Sequence, residues 1–282
     1  MNVITTPADL RLCAQEAHAK GQTIALVPTM GYFHAGHEDL IRHGRSIADL
    51  LIVSLFVNPT QFGPAEDLDR YPRDHERDSQ IAKNLGCDVL FMPDPPDMYP
   101  KDFATWVEVP SMSKLLCGAA RPIHFRGVCT VLTKLFNLSA ADFAVFGEKD
   151  WQQQAIVKRM VKDLNIPINI QTRPTVRESD GLALSSRNVY LSKEERLQAP
   201  NIYAGLKWAQ NLVSQGERNV EIIRSGLLNR WASQIPLGRL DYLTVVDPAS
   251  LTPISTIEGP AVMACAIRLG TTRLIDNIML NA

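Results

Sequence analysis

The feature of this sequence that most constrains its fold is a series of short apolar segments without polar alternation. A strand that is buried on both faces has this pattern, whereas a half-exposed strand alternates apolar and polar residues. The predicted strands of this kind are 23–29, 50–57, 87–93, 142–147 and 168–172. Segments with helical patterning separate them. Strands and helices that alternate at this spacing predict right-handed crossovers and a doubly wound parallel sheet.

Helix signals fit the same architecture. Thr6 can cap a helix that starts at Pro7, and Gly21 can end it. The other helices of this part are predicted at about 37–48, 72–85, 125–138 and 150–164. The first part of the chain therefore reads as a doubly wound α/β domain.

The pattern changes near Val176. A polar loop leads to a charged helix that begins near Ser192, and Ser192 with Glu195 matches a capping box. Two further strands, 240–247 and 261–269, are separated by turn-rich segments. We predict a doubly wound α/β domain over residues 1–176 and a smaller C-terminal α+β domain over residues 177–282.

The composition excludes several classes of protein. Twenty-nine basic residues against thirty acidic ones give a net charge of −1, so no basic excess favours nucleic acid. No apolar run approaches the ~20 residues that cross a bilayer, and the N-terminus lacks a signal-peptide pattern. The five cysteines are widely spaced and contain no C-x-x-C, which is typical of buried thiols in a reducing compartment. We expect a cytoplasmic protein with no nucleic-acid or membrane partner.

The segment 28–37, PTMGYFHAGH, follows the first buried strand. Ligands of parallel sheets bind beyond the carboxyl ends of the strands. The P-loop lysine and any G-x-G are absent, but a glycine turn into a helix start favours an anion. His34 and His37 could donate to the same phosphate. Two alternatives stay open: a metal pair, for which His43 is poorly spaced, and ordinary capping histidines.

Four other segments carry phosphate-compatible or amide groups. Gln61 lies in a turn after strand 50–57, and Lys149 and Asp150 lie at a helix start after strand 142–147. Ser185, Ser186 and Arg187 lie in the polar loop, where an arginine could pair with phosphate oxygens in bidentate fashion. The alternative for Gln61 is an ordinary turn, and that for Lys149 and Asp150 is a solvated helix cap. The alternative for residues 185–187 is a polar linker between domains. The segment 121–127, RPIHFRG, fits an anion site or a charged loop equally well.

Together these segments make the sequence similar to the pantoate–β-alanine ligase family over almost its whole length. The resemblance is carried by VPTMGYFHAGHEDL, IVSLFVNPTQF, YPR, RPIHFRGV, FGEKDWQQ, DGLALSSRNVYL and RLIDN. H-x-G-H alone indicates only the wider adenylyl-transferring superfamily, whereas NPTQF, FGEKDWQQ and LALSSRN are specific to this family. Tyr32 and Ile123 stand where members commonly have smaller residues, and Arg77 precedes Asp78 where some have paired carboxylates.

The resemblance implies an enzyme that joins (R)-pantoate to β-alanine through a pantoyl-adenylate, with ATP and Mg²⁺, no tightly bound cofactor and a homodimeric assembly. The N-terminal domain would be Rossmann-like and bind ATP and pantoate, and the smaller C-terminal domain would act as a lid that contacts the ATP phosphates. His37, His34 and Lys149 would be catalytic, and Gln61 and Gln153 would bind pantoate or β-alanine. The implied ATP-binding residues are Met30, Gly31, His34, His37, Gly147, Lys149, Asp150, Val176, Leu184, Ser185, Ser186 and Arg187. No protein ligand of the metal is implied.

Two rival functions remain. One is another nucleotidyltransferase of the same superfamily, against which the pair of Gln61 and Gln153 argues. The other is a non-catalytic nucleotide-binding regulator, which would have lost a phosphate-handling residue; no such loss is present.

Overall fold

The structure is a computed structural model that describes residues 1–64 and 66–281. The chain forms two compact units. One contains Met1–Glu148 and Ile156–Pro174, and the other contains Lys149–Ala155 and the residues from Thr175 on. The chain thus passes into the second unit two residues before the predicted boundary, and residues 149–155 also belong to that unit. The ligand roles assigned to the two domains stay predictions.

A six-stranded parallel sheet forms the centre of the first unit, with strand order β1-β4-β3-β2-β5-β6. The strands are β1 (Asn2–Ile4), β2 (Ile24–Thr29), β3 (Leu50–Leu55), β4 (Val89–Phe91), β5 (Phe143–Gly147) and β6 (Asn169–Arg173). β2 and β3 are buried along almost their whole length, which is why their sequences show no alternation.

The helices of this part connect the parallel strands. They are α1 (Pro7–Ala19), α2 (Ala35–Ile47), α3 (His75–Asn84), α4 (Pro95–Met98), α5 (Pro110–Ser113), α6 (Cys117–Ala120), α7 (His124–Ser139) and α8 (Trp151–Asp163). One face of the sheet packs with Ile41 of α2 and Ala82 of α3 in a single apolar cluster. Among the described residues, no helix combines the length and apolar character needed to span a membrane.

Three helices and an antiparallel sheet make up most of the second unit. The helices are α9 (Lys193–Gln198), α10 (Asn201–Ser214) and α11 (Val220–Gln234), and the sheet order is β7 (Gly238–Val246), β8 (Ala261–Leu269), β9 (Thr272–Leu280). Its core is apolar, and Trp231 donates from Nε1 to the carbonyl of Asn201. The predicted fold class, a parallel doubly wound sheet followed by a small α+β region, is confirmed.

The structure differs from the prediction at the starts of two helices and in two strands that were not predicted. Helix α2 begins at Ala35 rather than near His37 because His34 caps it, and α3 begins at His75 because Asp74 rather than an earlier residue caps it. The capping box of Ser192 and Glu195 is confirmed. Strands β1 and β9 were not predicted: β1 has only three residues, and β9 mixes polar residues into an apolar strand.

Four of the five cysteines are buried and Cys13 is half-buried, with no disulfide within the described part of the chain. Burial raises the pKa of the Cys87 thiol to about 11 and that of Cys129 to about 12. The prediction of buried thiols therefore holds for all but Cys13.

Candidate active site

The turn after β2 is held in a conformation that ordinary residues rarely adopt. Gly31 has φ +87° and Tyr32 has φ +53°, so two successive residues are left-handed. A Cβ at Gly31 would lie 3.0 Å from Asp78 Oδ2 and 3.2 Å from Leu55 Cδ2. Both the positive φ and the close packing therefore favour glycine at this position.

A buried carboxylate holds this turn. Asp78 of α3 is 0% exposed and accepts hydrogen bonds from the backbone N–H groups of Tyr32 (2.5 Å) and Phe33 (2.8 Å). Burial raises the pKa of Asp78, and the two backbone hydrogen bonds oppose that rise. Sequence reasoning assigned no role to Asp78, because its partners are backbone groups some 45 residues earlier.

The neighbouring Arg77 also contacts the turn. It donates from Nη2 to the carbonyl of Phe33 (3.0 Å), and its guanidinium lies 5.6 Å from the centroid of the Tyr32 ring. Arg77 therefore contacts protein groups at the position where some family members have the first of two paired carboxylates.

His34 and His37 form a capping box at the start of α2. His34 Nδ1 accepts from Gly36 N (3.1 Å), and His37 Nδ1 accepts from His34 N (3.4 Å). A neutral imidazole that accepts at Nδ1 carries its proton on Nε2, so both rings are in the tautomer that donates from Nε2. Their ring centroids are 4.1 Å apart. The capping alternative and the donor hypothesis are thus compatible.

Within residues 1–64 and 66–281 no group of three or more His, Cys, Asp or Glu side chains is placed to hold a metal ion. The metal pair of His34 and His37 stays one of the alternatives that the sequence left open.

Gln61 lies in the 3₁₀ turn Pro59–Gln61 after β3 and is 7% exposed. Its Oε1 accepts from Asn58 Nδ2 (3.0 Å), and its Nε2 contacts Met30 Sδ (3.1 Å). A thioether sulfur is a weak acceptor. The amide oxygen of Gln61 is therefore held in place by Asn58. The amide nitrogen has only a weak acceptor, Met30 Sδ, and could donate to a ligand oxygen instead.

The start of α7 packs tightly against this turn. His124, 9% exposed, contacts the carbonyl of Gln61 through Nδ1 (2.9 Å), and Arg121 donates to the same carbonyl (3.4 Å). Arg121 also pairs with Glu66 (2.9 Å from Nε). The segment 121–127, which the sequence left open, is therefore held by protein groups and supports Gln61.

The segment that carries Lys149 is bound within the second unit. Asn277 of β9 donates from Nδ2 to the carbonyl of Lys149 (2.9 Å), and Trp151 donates from Nε1 to the carbonyl of Pro248 (3.2 Å). Lys149 is half-buried in the 3₁₀ turn Glu148–Asp150, and Gln153 is half-buried in the first turn of α8. The RLIDN motif thus contributes Asn277 to the fixation of Lys149.

The polar loop that the sequence predicts after Val176 begins as a closed hairpin over residues 176–184. Leu184 N donates to Val176 O (3.0 Å), and a β-bridge joins Arg177 to Ala183. Arg177 forms a bidentate pair with Asp276 (2.6 and 2.9 Å). These contacts bring Val176 and Leu184 side by side.

The three residues Ser185, Ser186 and Arg187 follow that hairpin. Ser185 caps a 3₁₀ turn over Ser186–Tyr190, and its Oγ accepts from Arg187 N (3.3 Å). Ser186 is buried and Arg187 is half-buried. The capped turn fixes the backbone that carries the hydroxyls of Ser185 and Ser186 and the guanidinium of Arg187.

Whole-chain comparisons decide the family. The family model described as Pantoate-beta-alanine ligase matches residues 2–279. The chain belongs to this family. It is 63% identical over 282 residues to the pantothenate synthetase of Desulfovibrio desulfuricans, covering 100% of both chains. It is 54% identical over 280 residues to that of Nitratidesulfovibrio vulgaris strain DP4, covering 99% of both.

Solved structures agree with the sequences. Pantothenate synthetase from Thermus thermophilus has a TM-score of 0.93 at 43% identity, with 99% of both chains covered. The pantoate-beta-alanine ligase from Francisella tularensis, complexed with beta-gamma ATP and beta-alanine, has a TM-score of 0.81 at 33% identity, covering 99% of this chain and 97% of that one. The predicted resemblance and the predicted enzyme class, a ligase, are confirmed.

In this pantoate–β-alanine ligase the first unit gathers one group of predicted site residues. β2 lies between β3 and β5 in the sheet, so the residues at and after the carboxyl ends of these strands share one edge: Met30, Gly31, His34, His37, Gln61 and Gly147. A second group belongs to the second unit: Lys149, Asp150, Gln153, Val176, Leu184, Ser185, Ser186 and Arg187. Sequence reasoning missed the supports Asp78, Asn58, His124 and Asn277.

Proposed function

We propose that this ligase condenses (R)-pantoate with β-alanine through a pantoyl-adenylate. A carboxylate oxygen of pantoate attacks the α-phosphorus of ATP, and pyrophosphate leaves. The amine of β-alanine then attacks the acyl carbon, and AMP leaves. The observation that carries the proposal is the N-terminus of α2, where two Nε2-donor histidines share a sheet edge with the buried amide of Gln61.

The histidines act on phosphate. A 13-residue helix presents N–H groups without intrahelical partners and a positive dipole end at its start, and Nε2–H donors of His34 and His37 add directional hydrogen bonds. Charge grows on the leaving pyrophosphate as the α-phosphorus is attacked, and preorganised donors stabilise it. His37 is the better candidate to donate to the leaving oxygen. Pantoate needs no strong base because its carboxylate is already ionised.

Gln61 binds pantoate. Its amide offers a donor and an acceptor without a charge, which suits a substrate with hydroxyl groups and a carboxylate. Exchange of the weak contact with Met30 Sδ for a hydrogen bond to a substrate oxygen would strengthen the interaction of the amide nitrogen. Asn58 and His124 would keep the amide in position. Gln153 is proposed to bind the same substrate or β-alanine.

The groups of the second unit are proposed to bind the nucleotide. Lys149, Ser185, Ser186 and Arg187 supply two charges and two hydroxyls suited to phosphate oxygens. The residues proposed around adenosine are Met30, Gly31, Gly147, Asp150, Val176 and Leu184. Lys149 would compensate the charge of the transition state and is assigned as catalytic.

Mg²⁺ is proposed to enter with ATP. The ion keeps waters and binds mainly through substrate phosphates with one or two carboxylates, so a cage of three protein ligands is not required. When bound it neutralises phosphate charge. We further propose a homodimer that works in the cytoplasm without a tightly bound cofactor.

Exchange of labelled pyrophosphate into ATP tests adenylate formation directly. The purified chain should support exchange only when pantoate is present, because pyrophosphate release needs the acyl acceptor. Gln61→Ala should raise the KM for pantoate strongly and leave the KM for ATP near that of the unaltered chain. The proposal fails if exchange is absent with pantoate or proceeds equally without it. The role of Gln61 fails if both KM values rise together.

A further inference from the structure

We propose that Asp78 is a positioning residue for adenylate formation, because its carboxylate fixes the backbone turn that leads into the histidine pair. The inference rests on the proposed function of that pair and adds a residue which touches neither phosphate nor pantoate. It concerns contacts within the first unit alone.

The first step is the geometry of the turn. Gly31 and Tyr32 both have positive φ, and the turn directs the neighbouring N–H groups of Tyr32 and Phe33 to one side, an arrangement that binds anions. Here the anion is a side chain of the protein. Oδ2 of Asp78 accepts from Tyr32 N and Oδ1 accepts from Phe33 N.

The second step is the need for a carboxylate. In this turn the two N–H groups donate to different oxygens of the carboxylate. An asparagine offers one oxygen, so its amide NH₂ would face one of the backbone donors. Burial opposes the ionised form of Asp78, as its raised pKa indicates. Retention of a fully buried acid is explained by the two hydrogen bonds that only a carboxylate supplies together.

The third step is the connection to the histidines. Phe33, which is buried, directly precedes His34, the residue that caps α2. The backbone N–H of His34 donates to His37 Nδ1 at 3.4 Å, a length at which a small displacement breaks the bond. Loss of that bond removes the constraint that places the proton of His37 on Nε2. The turn held by Asp78 therefore controls the placement of His34 and the tautomer of His37.

The kinetic test compares Asp78→Asn with Asp74→Asn. Both variants remove one carboxylate at α3, but Asp74 accepts from Arg77 N and so caps that helix instead of holding the turn, and asparagine is an equally good cap. Asp78→Asn should lower pantoate-dependent exchange by about 10²-fold, the scale of a misplacement near 1 Å, and raise the KM for ATP. Asp74→Asn should match the unaltered chain.

Two further readouts separate positioning from damage to the fold. Pre-formed pantoyl-adenylate should still react with β-alanine in Asp78→Asn at close to the unaltered rate. Long-range ¹H–¹⁵N spectra should show Nε2–H tautomers for His34 and His37 in the unaltered chain and a mixture for His37 in Asp78→Asn. If that variant does not fold, Arg77→Ala, which removes the bond to Phe33 O, should show the same tautomer change and a smaller rise in the KM for ATP.

The proposal would be overturned if Asp78→Asn showed pyrophosphate exchange at the unaltered rate and unchanged histidine spectra. It would also be overturned if the variant slowed adenylate formation and the reaction with β-alanine equally. Absence of exchange in the unaltered chain would instead refute the proposed function, and the histidine spectra would still report on the turn.

Discussion

Gly127→Ala tests whether close packing of α7 controls the amide of Gln61. A Cβ at this position would lie 2.5 Å from the carbonyl oxygen of Thr60 and 2.7 Å from the Cα of Gln61. Both are backbone atoms that no rotamer change can move. The 3₁₀ turn and α7 must therefore separate, and an ordinary contact of 3.4 Å requires a displacement of about 0.9 Å.

The displacement has an energetic and a kinetic consequence. Overpacking destabilises by about 1–3 kcal/mol, and stretching the bonds from Asn58 to Gly127 O and from His124 to Gln61 O removes about 1 kcal/mol each. Alanine in a helix recovers about 1 kcal/mol relative to glycine. We expect a loss of about 2–4 kcal/mol in the free energy of unfolding. A shift of ~1 Å in Gln61 should reduce kcat/KM for pantoate by about 10²-fold.

Urea unfolding measures the change in stability, and initial rates at varied pantoate concentration measure the change in kcat/KM. Gly259→Ala is the matched control, because a Cβ there has nothing within 4 Å. It should change neither stability nor kcat/KM for pantoate appreciably. A Gly127→Ala chain as stable as the unaltered one, with its usual KM for pantoate, would refute the reasoning. So would a rise in the KM for ATP alone.

Four other outcomes are expected. His37→Ala should lower pantoate-dependent exchange by about 10²–10³-fold, the usual effect of losing one transition-state donor, with an unchanged circular dichroism spectrum; stoichiometric zinc lost together with activity would contradict this. Lys149→Ala should slow adenylate formation far more than the reaction of pre-formed adenylate with β-alanine. Asn277→Ala should also slow adenylate formation more than the second step. The double variant should be no slower than Lys149→Ala, since both changes affect one group. Additive losses would show that Asn277 does not act through Lys149. A disulfide reagent at pH 8 should modify half-buried Cys13 before Cys87, whose pKa of about 11 leaves about one thiolate in a thousand; faster labelling of Cys87 would show that its surroundings open.

The sequence predicts those parts of the molecule that local patterns determine. β2 and β3 read as buried strands because nearly every residue is apolar, and Gln61 was placed at a strand end because Asn58 and Pro59 stop the strand. The start of α2 was placed two residues late because histidine is not a usual helix cap. Here His34 caps through a ring nitrogen.

Hydrogen bonds between residues far apart in the sequence could not be predicted from the sequence. Asp78 reads as an ordinary helical acid, since its partners are backbone N–H groups 45 and 46 residues earlier. Asn277 holds the carbonyl of Lys149 across 128 residues. Strand β9 was missed for a related reason: Asp276 is buried within it because Arg177 pairs with its carboxylate. Such contacts depend on tertiary structure and leave no local pattern.

Oxygen tracing tests the central claim, the pantoyl-adenylate, most directly. Pantoate labelled with ¹⁸O at both carboxylate positions is converted with ATP and β-alanine in one turnover, and the products are analysed by mass spectrometry. Attack of the carboxylate on the α-phosphorus followed by cleavage of the acyl–oxygen bond predicts one ¹⁸O in AMP and one in the amide carbonyl of the product. Unlabelled AMP, or ¹⁸O in the pyrophosphate portion, would contradict an adenylate intermediate.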